Sequence, residues 1–334
     1  MTIRRTRRPT IVDIAARVGV SKSLVSLALR GDEGVSDATR ARIVQAADEL
    51  GYRSNSLARA LVRGRTGQIG VLVTDLRNPY HTEVALGVET AAEAVGLETF
   101  LANGRRDPNR MAAHLNAMLG LNMEGIVVVS SRVEYAVLAA AAKETPVVVV
   151  GRPEDTPPGL DSVANEDEAG IGLAVDHLIG LGHRHIAFAS ASRRPAALAR
   201  RRGYEAALRR AGLEPLDARP VPLGAGRTEA IDAILRGRAT AVVTNNDLLA
   251  VDVLDRAFDL GVDVPGRISV VGYDNTDLAA RVRPRLTSVD QCGPALGETA
   301  VALLLERVAG RDADRHEVLF PNLEVRDSTA SPAF

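Results

Sequence analysis

Two kinds of hydrophobic spacing divide this chain. Near the N-terminus, apolar residues recur at intervals of three and four (Ile11, Ile14, Ala15, Val18), the signature of an amphipathic helix. Thr10 is placed to cap that helix, Asp13 sits in its first turn where the helix dipole favours an anion, and Gly19 ends it. Ser21 is the N-cap candidate of a second helix running to about Leu29, with Leu24, Val25 and Ala28 on its buried side. Gly31 and Gly34 interrupt the chain. Ser36 then caps a third helix, 37–50, whose inward candidates are Thr39, Ile43, Ala46, Ala47 and Leu50, and Gly51 stops it. Ile14, Val18, Val25, Ile43 and Leu50 are sufficient as the shared core of a small three-helix domain.

Beyond residue 67 the pattern changes. QIGVLVTDL (68–76), LETFLANG (97–104), GIVVVS (125–130) and TPVVVVG (145–151) read as buried strands, separated by helical stretches at 83–95, 109–120 and 133–143. Such alternation predicts a parallel sheet with helices on both faces. It then begins again: helix 168–180, strand HIAFAS (185–190), helices 200–211 and 230–236, strand TAVVTN (240–245), helix 248–260 and strand ISVVGYD (268–274). The expected fold is therefore α/β, an N-terminal all-α helix-turn-helix headpiece followed by two doubly wound parallel-sheet subdomains with a cleft between them. Open parallel sheets bind ligands beyond the carboxyl ends of their strands. Here those ends offer Asp75, Asn78, Asn246, Asp247 and Asp274. Between the two regions, NSLARALVR (55–63) is helix-capable but too short to be stable alone. It is expected to order on DNA together with a second copy of the chain.

Charge sharpens this division. The 334 residues carry a net charge of −1, yet residues 1–65 hold 13 basic and 6 acidic residues, a balance of +7, and the remainder carries −8. A basic head on an acidic body is the footprint of nucleic-acid binding confined to one end. A three-helix protein-interaction module with a charged face is the plainer alternative. If the second helix enters a major groove, Lys22 and Ser23 face base edges and Leu27 follows one turn later. Leu27 offers only apolar contact, for instance to a thymine methyl, or belongs to the core. Ser21, Ser26, Arg30, Arg53 and the arm residues Arg4, Arg5, Arg7 and Arg8 suit phosphates, which hold register without reading sequence.

Other chemistries find little support. Aromatic residues make up 3% and tryptophan is absent, so aliphatic side chains must do the packing. The single cysteine, Cys292, excludes an intramolecular disulfide framework. His177, His183 and His185 beside Asp176 lack a recognisable zinc spacing, and His183 reads as structural. No GxSxG is present, and GAGR (224–227) is neither a dinucleotide nor a P-loop fingerprint. An enzyme is not expected, nor a cofactor. No apolar run reaches 18 residues and no h-region follows the arginine-rich start, so neither a membrane span nor a signal peptide is read and a cytoplasmic location is expected.

The segments TIVDIAARVGVS, VSDATRARIVQAADELGYRSN, IGVLVTDLRNPY, EGIVVV, HLIGLGHRHIAF, RRRGYEAAL, AVVTNNDLLAVDVLDRAFDLGVDVPGRISVVGYDNTDLA and PRLTSVDQ together resemble the LacI/GalR family of transcriptional regulators over essentially the whole chain. The resemblance implies a homodimer, an operator-binding headpiece (1–53), a hinge helix and linker (54–66) and a periplasmic-binding-protein-like effector domain (67–334). It also implies two subdomains, about 67–165 plus 276–290 and about 166–275 plus 291–330. By the same resemblance Thr10, Asn55 and Ala58 belong to the DNA-binding set, Ala58 facing its mate, and Leu61 wedges into the central minor groove, where an apolar insertion kinks the duplex. Among effector positions, Tyr80 and His81 match residues that pack on the ligand, Arg200 an arginine that binds sugar hydroxyls or a purine, and Arg194 a purine contact. Asn246 and Asp274 match polar sugar contacts, with Asp75 and Asp247 at neighbouring strand ends. Planar donors and carboxylates facing paired hydroxyls, with an aromatic over the ring, suit a sugar. Two simpler roles stay open, Asp274 as a loop cap and Arg200 as a partner of Glu205. The sequence departs from the family pattern in VSLALR, where Leu27 and Arg30 replace the common arginine and asparagine, and in Glu166-Asp167, which replaces a frequent Asp-Asn pair. No leucine heptad follows LFPNLEVRDST, so a tetramer of dimers is not supported.

Overall fold

The computed structural model describes residues 9–30, 32–52, 66–129, 132–153, 155–190, 192–216, 220–222 and 224–333. It divides into two compact units, Met1–Thr66 and Gly67–Phe334. In the first, α1 (Ile11–Val18), α2 (Lys22–Arg30) and α3 (Asp37–Glu49) close around Ile14, Val18, Val25, Ala28, Ile43, Ala46 and Ala47, with Leu50 packed against them. Leu24, expected on the buried side, is half-buried and stands outside this cluster. Local chemistry ends the helices where the sequence placed their ends. The Asp13 carboxylate accepts hydrogen bonds from the backbone N–H and the hydroxyl of Thr10, each 2.7 Å, and Gly19 closes α1 at φ +75°. Two arginines of α3 tie the unit together. Arg40 donates to the carbonyls of Ala28 (2.8 Å) and Asp32 (2.6 Å), and Arg42 to that of Val18 (3.0 Å). Both therefore satisfy carbonyls that helix ends leave without partners.

The second unit holds two sheets. The first lobe is a six-stranded parallel sheet in the order β10-β5-β4-β3-β1-β2, formed by β1 (Gln68–Val73), β2 (Glu98–Asn103), β3 (Gly125–Val129), β4 (Val147–Val150), β5 (Leu160–Asn165) and β10 (His316–Leu319). Side chains alternate along β3. Val127 and Val129 pack with α4 (Pro79–Ala94), while Ile126 and Val128 pack with α5 (Pro108–Gly120) and α6 (Tyr135–Glu144). Both faces are thus covered, which is why these strands read as unbroken apolar runs. The second lobe is a five-stranded sheet in the order β11-β9-β8-β7-β6, formed by β6 (Ile186–Ala189), β7 (Ala241–Thr244), β8 (Ser269–Asp274), β9 (Thr287–Asp290) and β11 (Asn322–Glu324). On one face lie α7 (Asp167–Gly180) and α8 (Pro195–Arg210), on the other α9 (Arg227–Leu235) and α10 (Asp247–Asp259).

The chain crosses between the lobes three times, and this corrects the subdomain boundaries expected from the sequence. Residues 276–290 stay in the second lobe: Ala279 of α11 (Asp277–Arg281) joins its core, and β9 pairs parallel with β8, Val271 opposite Thr287. Residues 293–319 return to the first lobe. Leu296, Ala300, Val301 and Leu304 of α12 (Gly293–Val308) fill its core, and β10 pairs with β5. Only β11 and the residues after it go back. The α4–α12 contact requires glycine on both sides. A Cβ at Gly87 would lie 2.2 Å from the Pro294 carbonyl oxygen, and one at Gly297 2.3 Å from that of Val84.

Candidate DNA interface and effector cleft

In the headpiece, α2 exposes Lys22 and Ser23 to solvent, with Ser21 just before them. The Ser21 hydroxyl accepts the Leu24 backbone N–H at 3.2 Å, so Ser21 caps the helix. No acidic residue lies in the first turn, and the positive helix pole is left with Lys22 alone. Val25 and Ala28 face the core. Ser26 and Leu27 are half-buried, and Leu27 does not join the core cluster. Thr10 spends its hydroxyl on Asp13. The Arg30 side chain, Arg53, Asn55, Ala58, Leu61 and the arm arginines lie outside the described residues.

In the second unit, strand register builds the cleft-side row of the first lobe. Asn103, Val73, Val129 and Val150 stand side by side on β2, β1, β3 and β4. Two or three residues further on, these strands deliver Arg106, Asp75, Arg132 and Arg152. Asp75 is buried and already saturated. It accepts Arg77 Nε at 3.1 Å, Arg77 Nη2 at 3.0 Å and Arg106 Nε at 2.7 Å. Burial pushes its pKa up, but the two arginines outweigh burial and bring it down to about 2. Asp75 is thus an anchor for arginines rather than a carboxylate offered to a ligand.

The second lobe supplies Arg200 from α8. Its guanidinium lies 3.6 Å from the centre of the Tyr273 ring, with Nε 2.8 Å from Asp167 Oδ1 and Nη1 2.5 Å from the Asn245 carbonyl. Glu205 takes Arg201 instead, which removes the simpler pairing considered for Arg200. Burial disfavours the charge on Arg200, and Asp167, Tyr273 and Asp274 more than restore it. Asn165 closes the cluster by donating to the Tyr273 hydroxyl (2.7 Å) and to Asp167 (3.3 Å). Asp274, at the end of β8, is buried with φ +114°, lies 3.9 Å from Arg200 Nη1 and accepts from Gln291 Nε2. Burial raises its pKa well above the carboxylate range. Tyr80 is buried within electrostatic reach of Asp274, Arg200 and Asp167, although its core packing places it in the first lobe.

Three expected contacts serve the scaffold. Asp247 is buried and accepts three hydrogen bonds, from the Thr276 N–H (2.7 Å), the Thr276 hydroxyl (3.0 Å) and the Ser288 hydroxyl (2.6 Å). Asn246 caps α10 by accepting the Leu249 N–H at 3.0 Å. The His81 ring stands 2.8 Å from the Asp75 carbonyl through Nδ1, and burial lowers its pKa. Arg194 is half-buried at the start of α8 and close enough to Arg132 to disfavour the latter's charge. Three strand-end atoms, Asn78 Oδ1, Arg152 Nε and Asn245 Oδ1, are buried without hydrogen-bond partners among the described residues. Buried polar atoms are nearly always paired, so these three can take a ligand or an ordered water. Asp167, Asn165 and Tyr273 were not visible as site residues. Asp167 stood out only as a departure from the family pattern, and Tyr273 read as strand interior.

A helix-turn-helix unit joined to two sheets of this topology defines the class, a DNA-binding transcription regulator with a ligand-sensor fold. The family model described as "Bacterial regulatory proteins, lacI family" matches residues 10–55, and a periplasmic binding protein-like domain matches residues 175–329. The HTH-type transcriptional repressor PurR of Aliivibrio fischeri is 33% identical over 317 residues, covering 92% of this chain and 94% of its own. Among solved structures, the Lac repressor dimer bound to operator and the anti-inducer ONPF superposes with a TM-score of 0.85 at 25% identity, covering 97% of this chain and all of that one. The complex of the transcriptional regulator CelR with cellobiose superposes with a TM-score of 0.71 at 28% identity, covering 96% and 100%. The chain belongs to the LacI family of bacterial transcription regulators. No helix among its described residues is long and apolar enough to cross a membrane.

Proposed function

We propose that this protein is a dimeric, cytoplasmic repressor released from a near-palindromic operator when a sugar or sugar derivative enters the cleft between its lobes. The observation that carries this is the Arg200 cluster. A buried guanidinium, stacked on Tyr273 and held by Asp167, faces the Asp274 carboxyl. The Nη2 of Arg200 has no partner among the described residues, and planar donors beside a carboxyl match vicinal hydroxyls. The sugar complex of CelR supports the same class of ligand. Dimerisation is supported by the edge strand β2, where Phe100 and Leu101 stay about half exposed, and by exposed Leu86 and Val95 beside it. An apolar sheet edge of this kind calls for a partner.

Lys22 and Ser23 read base edges, Leu27 adds apolar contact, and Ser21, Ser26, Arg30 and Arg53 hold phosphates. Thr10, Asn55, Ala58 and Leu61 complete the DNA-binding set. Ligand entry changes the relative placement of the two lobes in each protomer, and with it the two hinge segments of the dimer. A coupling of about 1–3 kcal/mol changes operator affinity roughly 5- to 150-fold. The test is binding to the DNA upstream of the protein's own gene across a panel of sugars, sugar phosphates and purines. Arg200→Ala should abolish the ligand response and leave operator binding intact, and an unchanged ligand midpoint would overturn the assignment. Tighter operator binding with a purine would instead establish a corepressor and transfer the central role to Arg194.

A further inference from the structure

The cleft end of β8 runs through two consecutive residues in a backbone conformation that L side chains rarely adopt. Asp274 has φ +114° and Asn275 φ +51°. Such conformations are costly and last only where the surroundings impose them. Here the surroundings are specific. The Asn275 backbone N–H donates to the Ser288 hydroxyl (3.1 Å), and its Nδ2 donates to Asp290 Oδ2 (3.0 Å). Its Oδ1 accepts Arg326 Nη2 at 2.7 Å. The backbone N–H and both ends of the side-chain amide are thus engaged. Asp290 lies opposite Asp274 in the sheet and precedes Gln291, the donor to the Asp274 carboxyl. One amide therefore links Arg326 to the strand end that holds Asp274.

Arg326 comes from the far end of the chain and is half-buried. Beyond β11, residues 326–330 lie against β8 and β9 as a strap. The Val270 N–H donates to the Ser328 carbonyl (2.8 Å), the Thr287 N–H to the Ser328 hydroxyl (2.8 Å) and the Arg326 N–H to the Thr287 hydroxyl (2.9 Å). These bonds hold the strap without the Arg326 guanidinium. That group bridges two other segments: Nη1 donates to the Leu286 carbonyl at 2.8 Å while Nη2 takes Asn275. Leu286 and Asn275 are the two ends of the excursion between β8 and β9 that carries α11. A rigid planar fork suits a bridge between two fixed acceptors better than the point charge of a lysine.

We propose that Arg326 is a positioning residue of the effector site: it clamps both ends of the 275–286 excursion and so fixes the bend that presents Asp274 to the cleft. This rests on the reading of Asp274 as an effector contact and extends it to a residue that acts through Asn275.

The experiment uses the full-length protein in two assays. Hydrogen exchange without ligand compares residues 274–277 with the strap, read at 327–331. Operator release compares glucose, ribose, cellobiose and their phosphates. In Arg326→Gln, exchange across 274–277 should quicken roughly tenfold, while the strap and β6 keep wild-type rates. Operator affinity without sugar should be unchanged, and the midpoint of whichever sugar releases the wild type should rise roughly tenfold. Asn275→Ala removes the acceptor and leaves the strap untouched, so it should reproduce both effects, and it serves alone if Arg326→Gln does not fold. The double variant should lose no more than Asn275→Ala, since both changes break one link. Loosening of the strap with 274–277 unchanged, or additive losses in the double variant, would make Arg326 a staple of the C-terminus and overturn the proposal. An unchanged midpoint in a variant whose exchange has quickened overturns it as well. If 274–277 quickens but no sugar or sugar phosphate releases the wild type, the clamp on Asp274 stands and the sugar reading fails.

Discussion

Two buried aspartates, one in each lobe, meet arginines in opposite ways. In the first lobe Asp161 accepts Arg307 Nε (3.0 Å) and Nη2 (2.9 Å), Arg311 Nη1 (3.1 Å) and Nη2 (2.7 Å), and the Arg315 backbone N–H (2.8 Å). Burial raises its pKa, but these donors outweigh burial and bring it down to about 2. In the second lobe Asp274 accepts one side-chain bond from Gln291 and keeps Arg200 at 3.9 Å, so burial prevails and its pKa rises. Both aspartates are shielded from water, and what separates them is saturation. A carboxylate whose lone pairs are all taken braces the fold, here pinning α12 and the loop after it to β5. A carboxyl left short of donors is one that a ligand can complete.

The largest expected effect comes from breaking the saturated cluster. Asp161→Asn leaves two arginines partly buried without their anion and should cost about 3–5 kcal/mol, read by denaturant unfolding, with the ligand midpoint unchanged in protein that still folds. The wild type should also lose stability as pH falls from about 4 towards 2. A carboxylate with a depressed folded-state pKa gives its stability above the unfolded pKa and loses it on protonation, and Asp161→Asn should flatten that acid limb. Asp274→Asn should behave in the opposite way, costing about 1 kcal/mol or less because the amide mimics the neutral form that burial favours, while weakening the effector response at least about tenfold. Equal stability losses in the two variants would remove the distinction between brace and site.

A smaller effect is expected at Glu83, between the two extremes. This half-buried carboxyl of α4 accepts the Asp277 backbone N–H at 3.3 Å, linking the lobes. Burial first, then repulsion from Asp277, Asp247 and Asp290, raises its pKa to about 7. The folded state then holds the proton more tightly than the unfolded chain, so stability falls as pH rises from about 4.5 to 7. Glu83→Gln should therefore raise the melting temperature at pH 8 and leave it unchanged at pH 4. A gain of equal size at both values would trace the effect to packing instead. The smallest effect belongs to the exposed Arg201–Glu205 pair, where Arg201→Ala should change stability by no more than about 0.5 kcal/mol.

The sequence by itself determined what depends on neighbours along the chain. Thr10, Ser21 and Ser36 mark helix starts, and Gly19 ends α1, because capping is decided within four residues. The runs 125–129 and 147–150 were readable as strands because both of their faces are buried. Family motifs singled out Arg200 and Asp274, which the fold brings within 3.9 Å of each other. Tertiary structure alone decided which lobe α12 and β9 join, because a helix face or strand edge does not say which of two similar sheets it will meet after a crossover. It also decided the fate of residues with the same chemistry at equivalent places. Asp75, Asp247 and Asp274 all stand at or just beyond strand carboxyl ends, and the first two are saturated by donors inside the fold while the third accepts a single side-chain bond, from Gln291. Arg106 and Arg132 follow β2 and β3, the strands on either side of β1, and only Arg106 pairs with an acid among the described residues. Saturation is set by which donors and acceptors converge in space from residues far apart in the chain, and no local pattern encodes it.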